Sequence, residues 1–496
     1  MNNIFPFLPI GITLVFAIAV MLLEVLLNGK KQILAYVSLL GVFFSAITTV
    51  SLWARQTNPF HLSFFSEMFI VDNYSLFFYL IFLLCAGVCI FTSSGYLIRE
   101  NMEHGEYYSL VLFAVTGMML MASGGDLLIL FLGLEIMTIS IYVLVGFSRY
   151  NIKSNEAVLK YFFLGAFSAG FILYGIALIY GACQSTTLSQ IGKVVRAEDF
   201  AYTPMVVMGI LLLMIGILFK VAAVPFHSWL PDVYEGAPAP VTGFMISAVK
   251  VASFAFFLRL FLISFIDLKD SWKDIISVIA VITMFTGNIF AFTQTNIKRM
   301  LAYSSISHTG YLLIGIASLS SSPENHVADA ILYYLLAYSV GSIGTFACIS
   351  YLSQKDEEYV NIDDYAGVGF RYPLIGIAMS IFMFSLIGVP PTGGFFGKYY
   401  LFSAAINQGM YPLVLIAIVN SMMSVYYYLR VIAVMYFKHS DYKVTNTSGK
   451  MATNLVLVYT LVGTIWLGMG TFTIFSIVPG ATSVLEWTKV SIESLF

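Results

Sequence analysis

Apolar residues in this chain come in long blocks rather than alternating, and short stretches rich in glycine, proline and charge separate the blocks. Runs such as Ile4 to Leu27, Ile33 to Trp53, Val206 to Phe219 and Leu455 to Val478 approach or exceed the roughly 20 apolar residues that cross a hydrocarbon core. Backbone groups in lipid must pair internally, and these runs lack the alternation of an outer-membrane barrel, so each is read as a helix. The pattern predicts spans near 4–28, 32–53, 71–98, 107–122, 127–147, 156–181, 203–223, 238–263, 273–294, 300–319, 326–354, 372–408, 409–437 and 454–478. The expected fold class is all-α, a polytopic membrane protein with about 14 transmembrane helices. The first run follows Met1-Asn2-Asn3 with no basic side chain and carries Glu24 near its end. It is too long for a signal peptide and is expected to be a retained span.

Composition supports lipid as the main surrounding. Hydrophobic residues make up 59% of the chain and charged residues 10%, against about 25% charged in soluble proteins. The net charge is -2 and the basic residues are scattered, so a nucleic-acid partner is not expected. Cys85, Cys89, Cys183 and Cys348 lie in or beside predicted helices without metal-ligand spacing, and are read as small core residues. Loops on the side opposite the termini hold Lys30, Lys31, Arg99, Arg149, Lys153, Lys298, Arg299, Lys355, Arg371, Lys438, Lys443 and Lys450; the other loops and the tail hold Arg55, Lys193, Arg196, Lys269, Lys273 and Lys489. By the positive-inside rule this bias places both termini outside the cytoplasm.

Two spans carry a break. One runs into Lys220-Val-Ala-Ala-Val-Pro225-Phe-His227, the other into Gly388-Val-Pro390-Pro391-Thr-Gly393-Gly394 before Lys398. Proline lacks the helix donor and clashes with the preceding turn, so each helix should stop there. Interrupted helices at matching places in two halves point to an inverted repeat with its site near the breaks. The expected division is an N-terminal three-helix segment (1–106), two five-helix repeats (107–264 and 265–437) and a C-terminal helix (438–496).

Ionisable residues inside spans carry the candidate chemistry. Glu135 sits about 12 Å into its helix, and Lys220, Lys250 and Lys398 also lie within spans. Burial disfavours the charged form of either group, so such residues can exchange protons. Intramembrane charges are expensive and default to a functional reading. Arg259 and Arg430, nearer helix ends, are read as packing or snorkelling residues. Lys160 and the histidines His227 and His308 stand between a relay and a structural role, and Glu24 is read as interfacial. No cysteine cluster, dinucleotide fingerprint, P-loop or hydrolase motif appears, so no electron carrier and no hydrolytic site is expected in this chain.

The stretches Gly133-Leu-Glu135-Ile-Met-Thr-Ile-Ser, Glu156-Ala-Val-Leu-Lys160-Tyr, Phe219-Lys220-Val-Ala-Ala-Val-Pro225-Phe-His227-Ser-Trp-Leu-Pro231-Asp232, Gln294-Thr-Asn-Ile-Lys298-Arg and Gly393-Gly-Phe-Phe-Gly-Lys398 resemble the antiporter-like subunits of respiratory complex I. The resemblance covers about residues 70 to 437. It implies a proton-translocating subunit in a bacterial inner membrane, with Glu135 and Lys220 in a first half-channel, Lys250 at the centre, Lys398 ending the second half-channel, and Lys160 and His227 as accessory residues. It also implies neighbours: an adjacent antiporter-like subunit and small membrane subunits, with NADH, FMN, iron-sulfur clusters and quinone held elsewhere in the complex and no cofactor here. A lysine rather than a glutamate at 398, and no long C-terminal extension, set this chain apart from other members. The rival readings are a subunit of a multisubunit sodium/proton antiporter and a non-pumping membrane scaffold.

Overall fold

The computed structural model describes residues 5–26, 31–55, 60–197, 203–320, 326–353, 360–439, 450–469 and 481–496. In chain order these form α1 (Leu8–Leu26), α2 (Gln32–Arg55), a hairpin of β1 (His61–Phe64) and β2 (Phe69–Asp72), then α3 (Asn73–Arg99), α4 (Glu106–Ser123), α5 (Leu127–Val145), α6 (Ile152–Cys183), α7 (Leu188–Arg196), α8 (Thr203–Lys220) and α9 (Trp229–Gly236). There follow α10 (Ala239–Phe244), α11 (Lys250–Leu260), α12 (Lys269–Thr293), α13 (Ile297–Ala317), α14 (Val327–Leu352), α15 (Val368–Arg371), α16 (Pro373–Ile387), α17 (Gly393–Asn407), α18 (Tyr411–Phe437), α19 (Lys450–Gly468) and α20 (Ala481–Glu493). Among the described residues, ten helices are long and apolar enough to cross a membrane, and the chain is a multi-pass membrane protein. One of the ten is a continuous run of 55 residues, Ala239–Thr293, which holds two of the predicted spans. Two π-helical turns, Met245–Val249 and Phe261–Phe265, interrupt its α-helical path.

Both proline breaks occur where the sequence places them. α8 ends at Lys220 and α9 begins at Trp229; α16 ends at Ile387 and α17 begins at Gly393. Gly388 ends α16 with φ of 91°, a left-handed conformation that a side chain would strain. Predicted span 203–223 is therefore shorter, and span 372–408 is two helices. The hairpin is a departure from the expected all-helical pattern. Phe69-Ile-Val is extended and pairs with His61–Phe64, and Asp72 then caps α3 by accepting from the Ser75 amide at 2.7 Å.

The same construction appears twice. Asp126 caps α5 and bridges to Thr187 after α6, while Asn296 caps α13 and bridges to Asn361 after α14. The adjoining amides match as well: Leu127 donates to Thr186 and Ile297 to Val360. In both places the capped helix lies backbone to backbone on its predecessor through glycine. A methyl at Gly117 of α4 would sit 2.5 Å from the Met137 nitrogen, and one at Gly287 of α12 would sit 2.5 Å from the Ser307 nitrogen. Small residues at such crossings are how membrane helices reach close van der Waals contact without a hydrophobic drive between them.

Both ends of the described chain meet the hairpin. The Phe7 ring lies 4.7 Å from that of Phe64 and 4.9 Å from that of Phe69, and His61 Nδ1 lies 3.2 Å from the Ser494 carbonyl. Among the described loop residues, ion pairs join Lys153 with Glu235, Lys438 with Asp363 and Arg196 with Asp267. Of the basic loop residues, Lys30, Lys355 and Lys443 lie outside the described residues.

Candidate functional site

Lys220, Lys250 and Lys398 are 5%, 3% and 5% exposed, so none of the three ammonium groups snorkels to a surface. Each is held differently. Lys220, the last residue of α8, donates to the Thr138 hydroxyl of α5 at 2.9 Å. Glu135 lies one turn before Thr138 on the same helix, half-buried, and its Oε1 is sealed from solvent without a hydrogen-bond partner among the described residues. It shares electrostatic contact with Lys220 but forms no ion pair with it among the described residues.

Lys250 stands directly after the π-helical turn Met245–Val249 and points at α13. Its Nζ donates to the Ser305 carbonyl at 2.6 Å, to the Ser305 hydroxyl, and to the Thr309 hydroxyl at 2.9 Å. Ser305 and Thr309 are four apart and so share one helix face. Thr309 in turn donates to the Val221 carbonyl at 2.8 Å, one residue beyond Lys220. The hydroxyl accepts from one group while donating to the next, and the chain of bonds ends on a backbone carbonyl beside Lys220.

Lys398 belongs to the half-helix after its break, whereas Lys220 ends the half-helix before its own. The Lys398 side chain reaches back across the break, and its Nζ donates to the Leu386 carbonyl at 3.0 Å, the Ile387 carbonyl at 2.8 Å and the Ser421 hydroxyl of α18 at 2.9 Å. These carbonyls are the unpaired C-terminal end of α16, the negative pole of its dipole, which favours a cation there. The Tyr311 ring lies 5.1 Å from the ammonium. Between Lys250 and Lys398 lies His308 of α13. Its Nδ1 bonds the Tyr334 hydroxyl and its Nε2 lies 3.2 Å from the Tyr428 hydroxyl, which bonds Ser304.

The remaining candidates fall elsewhere. Lys160 is partly exposed and pairs with Glu156 at 2.6 Å and Asp232 at 2.8 Å, outside the buried line. His227 is half-buried in the first break, with Nδ1 sealed and unbonded among the described residues. Arg259 is fully buried and makes two 2.8 Å bonds to Asp72 across the N-terminal segment, under the Tyr74 ring. Arg430 donates to the Phe292 and Gln294 carbonyls, capping the end of α12. Glu24 pairs with Lys31 at 2.9 Å near the end of α1. With His104 and Glu106 it makes the one described cluster of potential metal ligands, but the Lys31 ammonium already fills it, 3.2 Å from His104 Nδ1. The four cysteines are buried and free.

Sequence reasoning missed the neutral partners: Thr138, Ser305, Thr309, Ser421 and the tyrosines around His308. The run Ser304-Ser305-Ile306-Ser307-His308-Thr309 is dense in hydroxyls for a membrane helix, and that density was the available signal.

Residues 124–424 match the family described as NADH:quinone oxidoreductase/Mrp antiporter, transmembrane. A curated relative from Trichlorobacter lovleyi, named NADH-quinone oxidoreductase subunit N, is 47% identical over 440 residues, 88% of each chain. A chain in the structure of respiratory complex I from Thermus thermophilus with bound aureothin is 32% identical with a TM-score of 0.77, over 93% of this chain and 98% of that one. A chain of the Mrp complex from Dietzia sp. shares the fold, with a TM-score of 0.82 at 19% identity, over 99% of this chain and 98% of that one.

Proposed function

Because the chain belongs to the NADH:quinone oxidoreductase/Mrp antiporter membrane-subunit family, we propose that it moves protons along Glu135, Lys220, Lys250 and Lys398. It is a proton-translocating membrane-arm subunit of NADH-quinone oxidoreductase and sits among other membrane-arm subunits. Quinone reduction in other subunits of the complex, which hold the NADH, FMN and iron-sulfur clusters, supplies the driving energy. The chain lies in the bacterial inner membrane with both termini on the periplasmic side, as its loop charges favour. Within it, residues 107–264 and 265–437 form the two half-channels, between the N-terminal segment 1–106 and the C-terminal helix 438–496.

One observation carries the reading: the Thr309 hydroxyl links the Lys250 ammonium to the backbone beside Lys220. The step at Lys220 is electrostatic. With the Glu135 carboxylate turned toward it, Lys220 holds a proton; with that carboxylate neutralised or turned away, the proton passes toward Lys250, and Lys398 completes the exit past Ser421. Moving one charge against a membrane potential costs about 2.3 kcal/mol per 100 mV, which a modest change in the Glu135 interaction supplies. Lys160 and His227 act as accessory groups at the first half-channel.

The sodium/proton antiporter reading has the shared family model and a likeness of fold behind it, while the relatives of high identity carry the quinone oxidoreductase name. The test is proton pumping by reconstituted, assembled complex with Lys220→Ala or Glu135→Ala. Pumping is expected to collapse; wild-type efficiency in both variants removes these residues from the path.

A further inference from the structure

α9 is the outer half of the first broken helix, eight residues long, and it carries two carboxylates, Asp232 and Glu235. Arg299, in the first turn of α13, takes both with one nitrogen: Nη1 donates to Asp232 at 2.7 Å and to Glu235 at 2.9 Å. Lys298, its neighbour, donates to the Ala237 carbonyl at 3.0 Å and so caps the end of α9. On the other flank α6 holds α9 through Lys160 to Asp232 and Lys153 to Glu235. At the inner end of α9 the Trp229 indole stacks on Tyr161 of α6, with centroids 4.5 Å apart, and donates its N–H to the Phe219 carbonyl at 3.1 Å. Phe219 is the residue before Lys220.

One helix of the second repeat thus grips both sides of the first repeat's break. Arg299 holds α9 on the far side, and Thr309, ten residues and about 15 Å further along α13, holds Val221 on the near side. These ion pairs are partly exposed, and partly exposed pairs add little to folding stability. Their effect is on position.

We propose that Arg299 is a positioning residue for proton transfer at Lys220: by gripping Asp232 and Glu235 it fixes α9, and through the Trp229 indole it fixes the turn that presents Lys220 to Thr138. The inference rests on Lys220 being a proton carrier.

The test uses the intact complex in closed vesicles, with NADH-driven proton translocation expressed per assembled complex, assembly counted by native-gel immunoblot of this chain in the intact complex, and NADH oxidation with a water-soluble electron acceptor read in parallel. Arg299→Gln is expected to lower translocation several-fold at unchanged acceptor activity, and Arg299→Lys to restore most of it. Trp229→Phe keeps the ring on Tyr161 but loses the bond to Phe219, and is expected to reproduce the Arg299→Gln loss with every ion pair intact. A merely structural ion pair lowers the number of complexes, not the translocation of each. Wild-type translocation in Arg299→Gln overturns the proposal, and so does wild-type translocation in Trp229→Phe, which decides the matter if Arg299→Gln does not assemble. Lys220→Ala separates the two readings: wild-type pumping there removes the premise, whereas collapse there beside a normal Arg299→Gln sinks only the role of Arg299.

Discussion

Lys250 and Val221 share one hydroxyl: Thr309 accepts from the lysine at 2.9 Å and donates to the carbonyl at 2.8 Å. One residue of α13 therefore touches, at the level of the buried lysines, both the Lys250 ammonium and the turn that follows α8.

Replacing Thr309 with valine keeps the shape and removes that group. The Val221 carbonyl then stays buried without its partner, at a cost of about 1–3 kcal/mol, and the bridge from Lys250 to the backbone beside Lys220 is cut. Pumping per assembled complex is expected to fall sharply in Thr309→Val and to survive in Thr309→Ser, measured by vesicle acidification. Equal pumping in both variants removes the hydroxyl from the path.

Lys398 caps α16, and under the proposed function it also carries charge. Lys398→Met is expected to abolish translocation and also to lower the thermal stability of the purified complex, because the Leu386 carbonyl loses its donor and the Ile387 carbonyl keeps only the Ser421 hydroxyl at 3.4 Å. Ser421→Ala removes one of three partners and should slow translocation while leaving stability within about 1 kcal/mol. A stability loss in Ser421→Ala as large as that in Lys398→Met contradicts this division.

Arg259 and Asp72 are both fully buried. Breaking such a pair by removing one partner costs about 3–5 kcal/mol, and removing both often costs less. Arg259→Met is expected to reduce the amount of assembled complex strongly. Adding Asp72→Asn, which keeps an oxygen to cap α3, should recover part of it. Immunoblots of the assembled complex read both, and a double variant worse than the single would mean that the pair is not coupled.

Glycine positions divide cleanly by their surroundings. Gly117→Ala and Gly287→Ala force a methyl against backbone 2.5 Å away, whereas Gly11→Ala meets nothing within 4 Å. The first two are expected to impair assembly and the third to leave it unchanged, by the same immunoblot. Normal assembly in Gly117→Ala would show that α4 and α5 can part without penalty.

What the sequence made legible was whatever depends on local pattern. Apolar run length located the helices, Pro225 and Pro390-Pro391 located the breaks, and Glu135, Lys220, Lys250 and Lys398 stood out because a charge inside an apolar run is costly. What it hid was everything that needs a partner distant along the chain. The partners of Lys250 lie on α13, more than fifty residues away, and nothing in the spacing of Ser305 and Thr309 tells which lysine they face. Arg259 forms a helix-packing ion pair, as its place near a helix end suggests, but nothing in the spacing tells that the counterion is Asp72, 187 positions earlier. Lys160 and Asp232 likewise appear independent in the sequence and meet only because α6 and α9 pack together. The hairpin was missed because four extended residues running into a helix cap look like the start of the helix itself.

The hairpin also gives the molecule an unusual kind of closure. With Phe7 packed on Phe64 and Phe69 and the Ser494 carbonyl beside His61, the hairpin clasps helices from both ends of the described chain to the start of α3, although 433 positions separate His61 from Ser494.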